Sequence, residues 1–423
     1  MRQFSACNPS DHRVSRRSML AGALGAIGTG MLDPPLLADG SKVSRKRLLV
    51  LFLSGGASQF ETWDPKPGTK TGGPFRAIST SLPGVQIGEL LPHTAGIMHR
   101  LAVVRSVNTR IADHFFGHYA LQSGRRVPGY PVLGSAAARL LEQPGDVLPG
   151  YVALRRDGPK AFTDIGDAGF LGPKYEAVKI INGQPPANLV RPEAVNESTE
   201  LARDAVRRRS DERFLRGRET RFINAYGNSF EQAAVLMKRR DIFDLDKEPA
   251  RDRERYGDHD FGQHCLLARR LLENGINCVK VVHHDWDAHE ENFHWHQQRC
   301  SEFDATFTTL IEDFADRGLL EDTLIVVTGE MGRTPRINNR AGRDHWGNAW
   351  SVAMAGCGIQ QGVVHGKTNA DGTSVVDGEV DLGHLFHTWL TALGLDPTGH
   401  YEAGGGENQI GTPAASAIQE LLS

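Results

Sequence analysis

Four short runs constrain the fold of this chain more than anything else in it: Leu48-Leu49-Val50-Leu51-Phe52-Leu53, Leu101-Ala102-Val103-Val104, Cys278-Val279-Lys280-Val281-Val282 and Thr323-Leu324-Ile325-Val326-Val327-Thr328. Each is nearly continuous in apolar, often β-branched side chains, which reads as a strand covered on both faces. Tyr151-Val152-Ala153-Leu154 adds another strand of the same kind. Between them the spacing turns helical, over Pro92 to Met98, Val132 to Leu141, Gln263 to Asn274 and Phe303 to Phe314. In the third of these, Cys265, Leu266, Leu267, Leu271 and Leu272 supply the apolar face, and Gly275 ends the helix. Such alternation predicts an α/β three-layer sandwich with a largely parallel central sheet.

From about residue 192 to 255 the character changes. Arg203-Asp204-Ala205-Val206-Arg207-Arg208-Arg209 and the run Arg213 to Arg221 are charged and helical in pattern, so this stretch reads as a helical insert. Its charge run is read as a solvated helix face, with shaping of a substrate entrance as the other reading. The tract Ala403-Gly404-Gly405-Gly406 reads as a flexible or turning segment.

The N-terminus carries an address. Ser15-Arg16-Arg17-Ser18-Met19-Leu20 is a twin-arginine pattern, placed before an apolar, Gly/Ala-rich stretch from Met19 to Leu32. That stretch is short of the roughly 20 apolar residues an anchor needs. Residues 1–38 are therefore read as a signal region handled by the twin-arginine export machinery, with the mature domain over 45–423. Cleavage near Ala38 is weakly marked, because Leu36 is not a small residue, and an uncleaved anchor stays open. The expected location is periplasmic or extracellular, and the mature chain is expected to hold no membrane span. Export of a folded protein suits one that loads a cofactor in the cytoplasm.

Composition narrows the partners. The chain has 423 residues, 39% of them hydrophobic, and 48 basic against 51 acidic side chains. That is a globular protein with an ample core and no field to attract nucleic acid. Cys7 lies in the signal region, and Cys265, Cys278, Cys300 and Cys357 show no CxxC or zinc-ribbon spacing.

Chemistry-bearing residues collect just after the predicted strands, where open α/β sheets place their ligands. After Thr328 come Gly329-Glu330-Met331-Gly332-Arg333-Thr334-Pro335 and then Arg343-Asp344-His345-Trp346. One carboxylate, two guanidiniums and an imidazole there suit a metal, an anion or both; the plainer reading is a salt-bridged loop capped by Trp346. After Val282 comes His283-His284-Asp285-Trp286-Asp287-Ala288-His289, with Asp285 and His289 spaced as Asp-x3-His and Asp287 and His289 as Asp-x-His. Zinc accepts such a mixture, and manganese and iron are alternatives. The polar run then continues through Glu290, Glu291, His294 and His296, read as entering a helix that faces solvent. In Asp113-His114-Phe115-Phe116-Gly117-His118, a helix would set His114 and His118 one turn apart on one face, as ligands or as rings packed on aromatics. The segment Gly55-Gly56-Ala57-Ser58-Gln59-Phe60-Glu61-Thr62-Trp63-Asp64-Pro65 allows close backbone approach and sets Glu61 and Asp64 where a first-strand ligand would lie, with a plain turn at Asp64-Pro65 as the other reading. It is not a phosphate loop, since no Gly-Lys-Ser/Thr comes after it.

Taken together, Gly55-Gly56-Ala57-Ser58 through Trp63-Asp64-Pro65-Lys66-Pro67, Trp286-Asp287-Ala288-His289, Gly329 through Pro335 and Gly342 through Trp346 resemble the exported bacterial family known as domain of unknown function fifteen-oh-one. That family looks like a branch of the alkaline phosphatase and sulfatase superfamily, and Asp381-Leu382 through Leu393-Gly394-Leu395 is similar to a late sulfatase helix. The resemblance implies an alkaline-phosphatase-like fold with metals held by carboxylates and histidines at strand ends. By it, Asp285 with His289 is similar to the superfamily's Asp-x3-His pair, Glu330 stands where an Asp-His pair usually sits, and His345 resembles the late metal-binding His. Departures accompany the match. The first strand ends in Gly55-Gly56 where a metal-binding Asp is usual, Met331 comes after Glu330 where an imidazole is usual, and the nucleophile position falls near His114 with no Cys or Ser. A sulfatase using a modified Cys is disfavoured.

Two functions are compatible with these residues. One is a metal-dependent hydrolase of phosphate or sulfate esters, esters on extracellular polymers among them, with zinc or manganese as the divalent metal. Its expected ligands are Asp287, His289, Glu330 and His345, with Asp285, Asp64 or His114 supplementing them. Arg333, Arg343 and His114 are the catalytic candidates, the guanidiniums neutralising charge on the transferring group. The other is a non-catalytic anion- or glycan-binding protein on the same scaffold, favoured by the missing Asp and nucleophile.

Overall fold

The computed structural model of this protein describes residues 45–158, 168–186, 189–190, 195–216, 221–403 and 406–423. The expected twin-arginine signal region 1–38, residues 192–194 and 217–220 of the expected insert, and Gly404-Gly405 lie outside the described residues.

An eight-stranded sheet organises the rest. Its strands are β1 (Arg47–Leu53), β2 (Leu101–Val107), β3 (Tyr151–Arg155), β4 (Val178–Ile181), β5 (Cys278–His283), β6 (Thr323–Thr328), β7 (Trp350–Gly356) and β8 (Val363–His365). They lie side by side in the order β8-β2-β7-β6-β1-β5-β3-β4. Strand β1 is central and pairs in parallel with β5 and β6, so that Leu53 stands opposite His283 and Phe52 opposite Thr328. The loops that leave these three strands therefore emerge together. Among the described strands of this sheet, only β7 runs against its neighbours, β6 and β2. Its sequence, with Ala353, Ala355 and Gly356, has weak intrinsic strand preference, and it holds its place through burial between two better strands.

Both faces of the sheet are apolar because successive strand side chains point to opposite sides. Along β1, Leu49, Leu51 and Leu53 join one core while Leu48, Val50 and Phe52 join the other. The longer helices are α1 (His114–Ser123), α2 (Leu133–Leu140), α3 (Glu197–Leu215), α4 (Arg221–Lys238), α5 (Asp260–Glu273), α6 (Asn292–Asp316) and α7 (Leu382–Ala392). Leu266, Leu267 and Leu271 of α5 and Phe303, Phe307 and Leu310 of α6 close the first core. Leu121 of α1, Ala136 of α2 and Phe386 and Trp389 of α7 close the second. The architecture is thus a three-layer α/β sandwich on a largely parallel sheet.

Helix α3 pairs Arg207 with Asp204 and Asp211 and Arg208 with Asp204 along its own surface, and Arg208 also reaches Glu231 of α4 at 3.4 Å. No helix among the described residues is long and apolar enough to cross a membrane. Cys265, Cys278, Cys300 and Cys357 are all buried free thiols. Near the C-terminus, His400–Ala403 pairs antiparallel with Gly406–Gln409.

Helix α6 begins eleven residues before the apolar run that announced it, and this changes the reading of His296. That ring does not face solvent; it is 1% exposed. Its Nε2 accepts from the Ser58 amide at 2.8 Å, and its Nδ1 donates to the Asn292 carbonyl at 2.9 Å. Burial pushes its pKa down from 6.5 to about 4, since protonation would also remove the acceptor that Ser58 uses. Between those two values the unfolded chain binds a proton that the folded chain refuses. The stabilisation is complete above the unfolded value and is lost as pH falls toward about 4. Denaturant titrations are expected to show stability dropping by about 3 kcal/mol per such ring over this window. His296→Asn should have a shallower slope, and an unchanged slope would exclude His296 as its source.

Candidate metal centre

The ends of β1, β5 and β6 meet around two glycines. At Gly55, with φ of 109°, a Cβ would lie 2.4 Å from the Asp287 amide nitrogen; at Gly56, with φ of 84°, it would lie 2.6 Å from the Met331 carbonyl oxygen. Only glycine lets the three loops approach this closely. In the space so made, the Gly55 amide donates to Glu330 Oε1 at 2.9 Å. The glycines that replace an expected Asp thus let a carboxylate from the β6 loop reach the end of β1.

Asp287 is the focus of the cluster. His114 Nε2 lies 3.2 Å from its Oδ2, and His289 Nε2 and His345 Nε2 lie 3.1 and 3.3 Å from its Oδ1. The Nε2 atoms of His289 and His345 are 2.9 Å apart. On the far side of each ring, Nδ1 meets an oxygen: Glu330 Oε1 at 2.6 Å for His114, Asp344 Oδ1 at 2.9 Å for His289, and the Ala112 carbonyl at 3.2 Å for His345. An oxygen acceptor at each Nδ1 holds a hydrogen there and orients the ring with its Nε2 toward Asp287.

Secondary structure explains the convergence. His114 opens α1, and Asp113 fixes that start by accepting from the Phe116 amide. His345 sits on a two-stranded ribbon with Arg333, Gly332–Arg333 against His345–Trp346. His118, one turn after His114, goes elsewhere: its ring packs edge-on against Phe52 at 4.8 Å. Burial, helped by the Lys280 ammonium, holds His118 well below its ordinary pKa.

Charge in the cluster is balanced by contact. Burial alone would lower the pKa of His114, but hydrogen bonds to Asp287 and Glu330 outweigh it and raise it to about 9. Burial alone would raise that of Asp287, but bonds from His114 and His345 and the nearby Arg333 guanidinium outweigh it and hold the carboxyl well below the usual range. The His289 ring likewise holds Asp344 down. These donors fit a divalent cation. His114, Asp287 and His345 each offer one ligand atom within 4.8 Å of the others, and His289 stands beside two of them. Ligands about 2.0–2.1 Å from a tetrahedral ion stand roughly 3.3 Å apart, close to the separations here. Glu330 Oε2 is buried without a hydrogen-bond partner, as a carboxylate with an unfilled role would be.

Of the residues singled out in the sequence, Asp287, His289, Glu330, His345 and His114 come together. The others do not. Asp285 has φ of 70° and pairs with Arg156 at 2.7 Å on the surface. Asp64 is buried against Lys66 and Thr368. Arg333 is fully buried behind Asp287, which it holds at 2.6 Å while also donating to the carbonyls of Gly55, Gly56 and Arg343. Arg343 is spent on Glu61 and on the carbonyls of Thr71, Thr334 and Pro335. Neither guanidinium turns toward the open side as an anion clamp; both brace the loops. Asp344 and Gln59 were missed. Asp344 had a signal, as the residue before His345, whereas Gln59 only shows its role in the fold, pairing with both backbone groups of Arg333.

The family model described as Protein of unknown function (DUF1501) matches residues 45–422 of this chain. No curated protein matches it. Among solved structures, a protein in the alkaline phosphatase superfamily from Vibrio parahaemolyticus matches at 12% identity and a TM-score of 0.37, over 84% of this chain and 67% of that one. The PsFucS1 sulfatase from Pseudoalteromonas sp. matches at 12% identity and 0.37, over 83% and 68%. The C-terminal periplasmic domain of EcEptC from Escherichia coli, in complex with Zn, matches at 12% identity and 0.38, over 84% and 85%.

Proposed function

The chain belongs to the DUF1501 family of unknown function, and from its site we propose an exported, metal-dependent hydrolase of phosphate or sulfate esters. One observation carries the reading: three imidazoles turn Nε2 toward a single carboxylate, while an oxygen takes each Nδ1. His114, Asp287, His345 and His289 would hold the cation, for which zinc or manganese suits the donor set. Bound there, it supplies Lewis-acid polarisation of the ester oxygen and a water acidified toward neutral pH. The chain's own residues do the rest. Glu330, Asp344 and the Ala112 carbonyl orient the rings, and Arg333 pins Asp287 from behind. The Asp287 side chain is 42% exposed, which leaves one side of the cluster open to an approaching ester. With water as the nucleophile, no side chain need attack. Esters on extracellular polymers fit a protein delivered by the twin-arginine route to the periplasm or beyond.

The test uses the full chain expressed in a bacterium with its own N-terminus. The periplasmic fraction is analysed for metal and assayed on aryl phosphates, phosphodiesters and sulfates with added zinc or manganese. Near-stoichiometric metal and turnover of at least one ester class are expected, with Arg16→Lys/Arg17→Lys confining the protein to the cytoplasm. Metal-free, silent protein counts against the hydrolase. Silence with tight binding of sulfated glycans would instead support an anion-binding protein, a reading favoured by the commitment of Arg333 and Arg343 to the scaffold.

A further inference from the structure

Immediately after the metal-cluster residue His114, helix α1 presents Phe115 and Phe116 to solvent, 55% and 62% exposed. Two adjacent exposed phenyl rings beside a proposed reaction centre call for a ligand. They form one wall of an open cavity of about 400 Å³ whose other walls include Tyr119, Pro128, Gly129 and Pro173. That volume lies in the range of small-molecule sites. Tyr119 turns its hydroxyl away, donating to the Tyr130 carbonyl at 3.1 Å and accepting from the Tyr130 amide at 2.7 Å. The charged groups at this cavity are Arg126 and Glu176. The Arg126 guanidinium donates to the Thr109 carbonyl, and three residues further on the Ala112 carbonyl takes His345 Nδ1. One short segment therefore touches the metal cluster at His345 and, through Arg126, a residue that lines the apolar cavity.

We propose that this cavity binds an alkyl chain carried by the ester, so that the natural substrate is an amphiphile with its charged head at Asp287 and its tail along Phe115 and Phe116. The inference rests on the hydrolase reading for the head and on the cavity alone for the tail. The chemistry favours an alkyl group over a flat ring. Phe115 and Phe116 stand edge to face at 87°, so they offer a corner and not a parallel-sided slot. A flexible chain fills such a corner, whereas a planar ring stacks best in a slot. In the reaction, water oxygen bonds to phosphorus, the phosphorus–alkoxy bond breaks, and the alkoxy oxygen leaves as the alcohol with one proton from that water.

The experiment compares ethyl, butyl and octyl phosphate, below micelle-forming concentrations, with the zinc-loaded full chain. The specificity ratio kcat/KM for octyl over ethyl phosphate is expected to be about tenfold or more, carried by KM, since each buried methylene favours binding. In Phe115→Ala/Phe116→Ala that ratio should fall to within about twofold of unity, and Phe115→Leu/Phe116→Leu should restore most of it. A ratio near one in the unsubstituted protein, or one that survives the alanine pair, overturns the proposal while leaving the hydrolase reading intact. If no ester turns over, calorimetric binding of the same series decides separately: chain-length dependence lost in the alanine pair keeps the cavity and removes the hydrolase. Should the alanine pair abolish self-association in sedimentation without changing the ratio, the face joins two copies of this chain and the proposal fails.

Discussion

Asp287→Asn is expected to leave the protein without its cation and to cut ester hydrolysis by about a thousandfold, several kcal/mol of transition-state stabilisation. Asp287 is the one group that all three Nε2 atoms approach, at 3.1 to 3.3 Å, so its negative charge is what makes the three rings a cation site. The amide keeps the shape but presents no net charge, and half its polar surface becomes a donor. Graded losses should surround this one. Asp344→Asn and Glu330→Gln alter the acceptors of His289 and His114, and each is expected to weaken metal affinity by about 10- to 100-fold while retaining the fold. Elemental analysis with kcat/KM on an aryl phosphate reads both. An Asp287→Asn protein that keeps stoichiometric metal and full turnover would place the centre elsewhere.

Glu61→Ala is the second large effect, on stability. Glu61 and Arg343 are both fully buried and meet at 2.9 Å, and the guanidinium also lies 4.4 Å from the Phe60 ring centroid. Removing the carboxylate leaves an uncompensated charge in the core, which costs about 3–5 kcal/mol. The remaining Arg343 donors reach only carbonyls, so they cannot neutralise it. Denaturant unfolding should show the midpoint fall with little change in slope. Glu61→Leu/Arg343→Met is expected to recover part of the loss, because no lone charge remains. Equal stability of Glu61→Ala and the unsubstituted protein would show that the pair is not a brace. This outcome also bears on function, since Arg343 ties the β1 loop to the segment that delivers His345.

Much of this protein is written locally. The continuous apolar strands at Leu48–Leu53 and Thr323–Thr328 need both faces covered, and that alone dictates helices on each side of a largely parallel sheet. Placement of the donors after β5 and β6 comes from where such sheets leave their loops. Spacing along the chain could not say which donors meet. His114 and Glu330 are 216 positions apart yet meet at 2.6 Å, through the parallel register of β1 with its neighbours and the glycine-permitted approach at Gly55. Nor could it separate Arg333 and Arg343, which resemble anion clamps in sequence, from the buried braces they are. A charged side chain takes its role from what surrounds it once water is gone, and those surroundings come from parts of the chain far away in sequence. Strand β7 makes the same point for the backbone, since small residues with weak preference become a strand where neighbours on both sides offer hydrogen bonds.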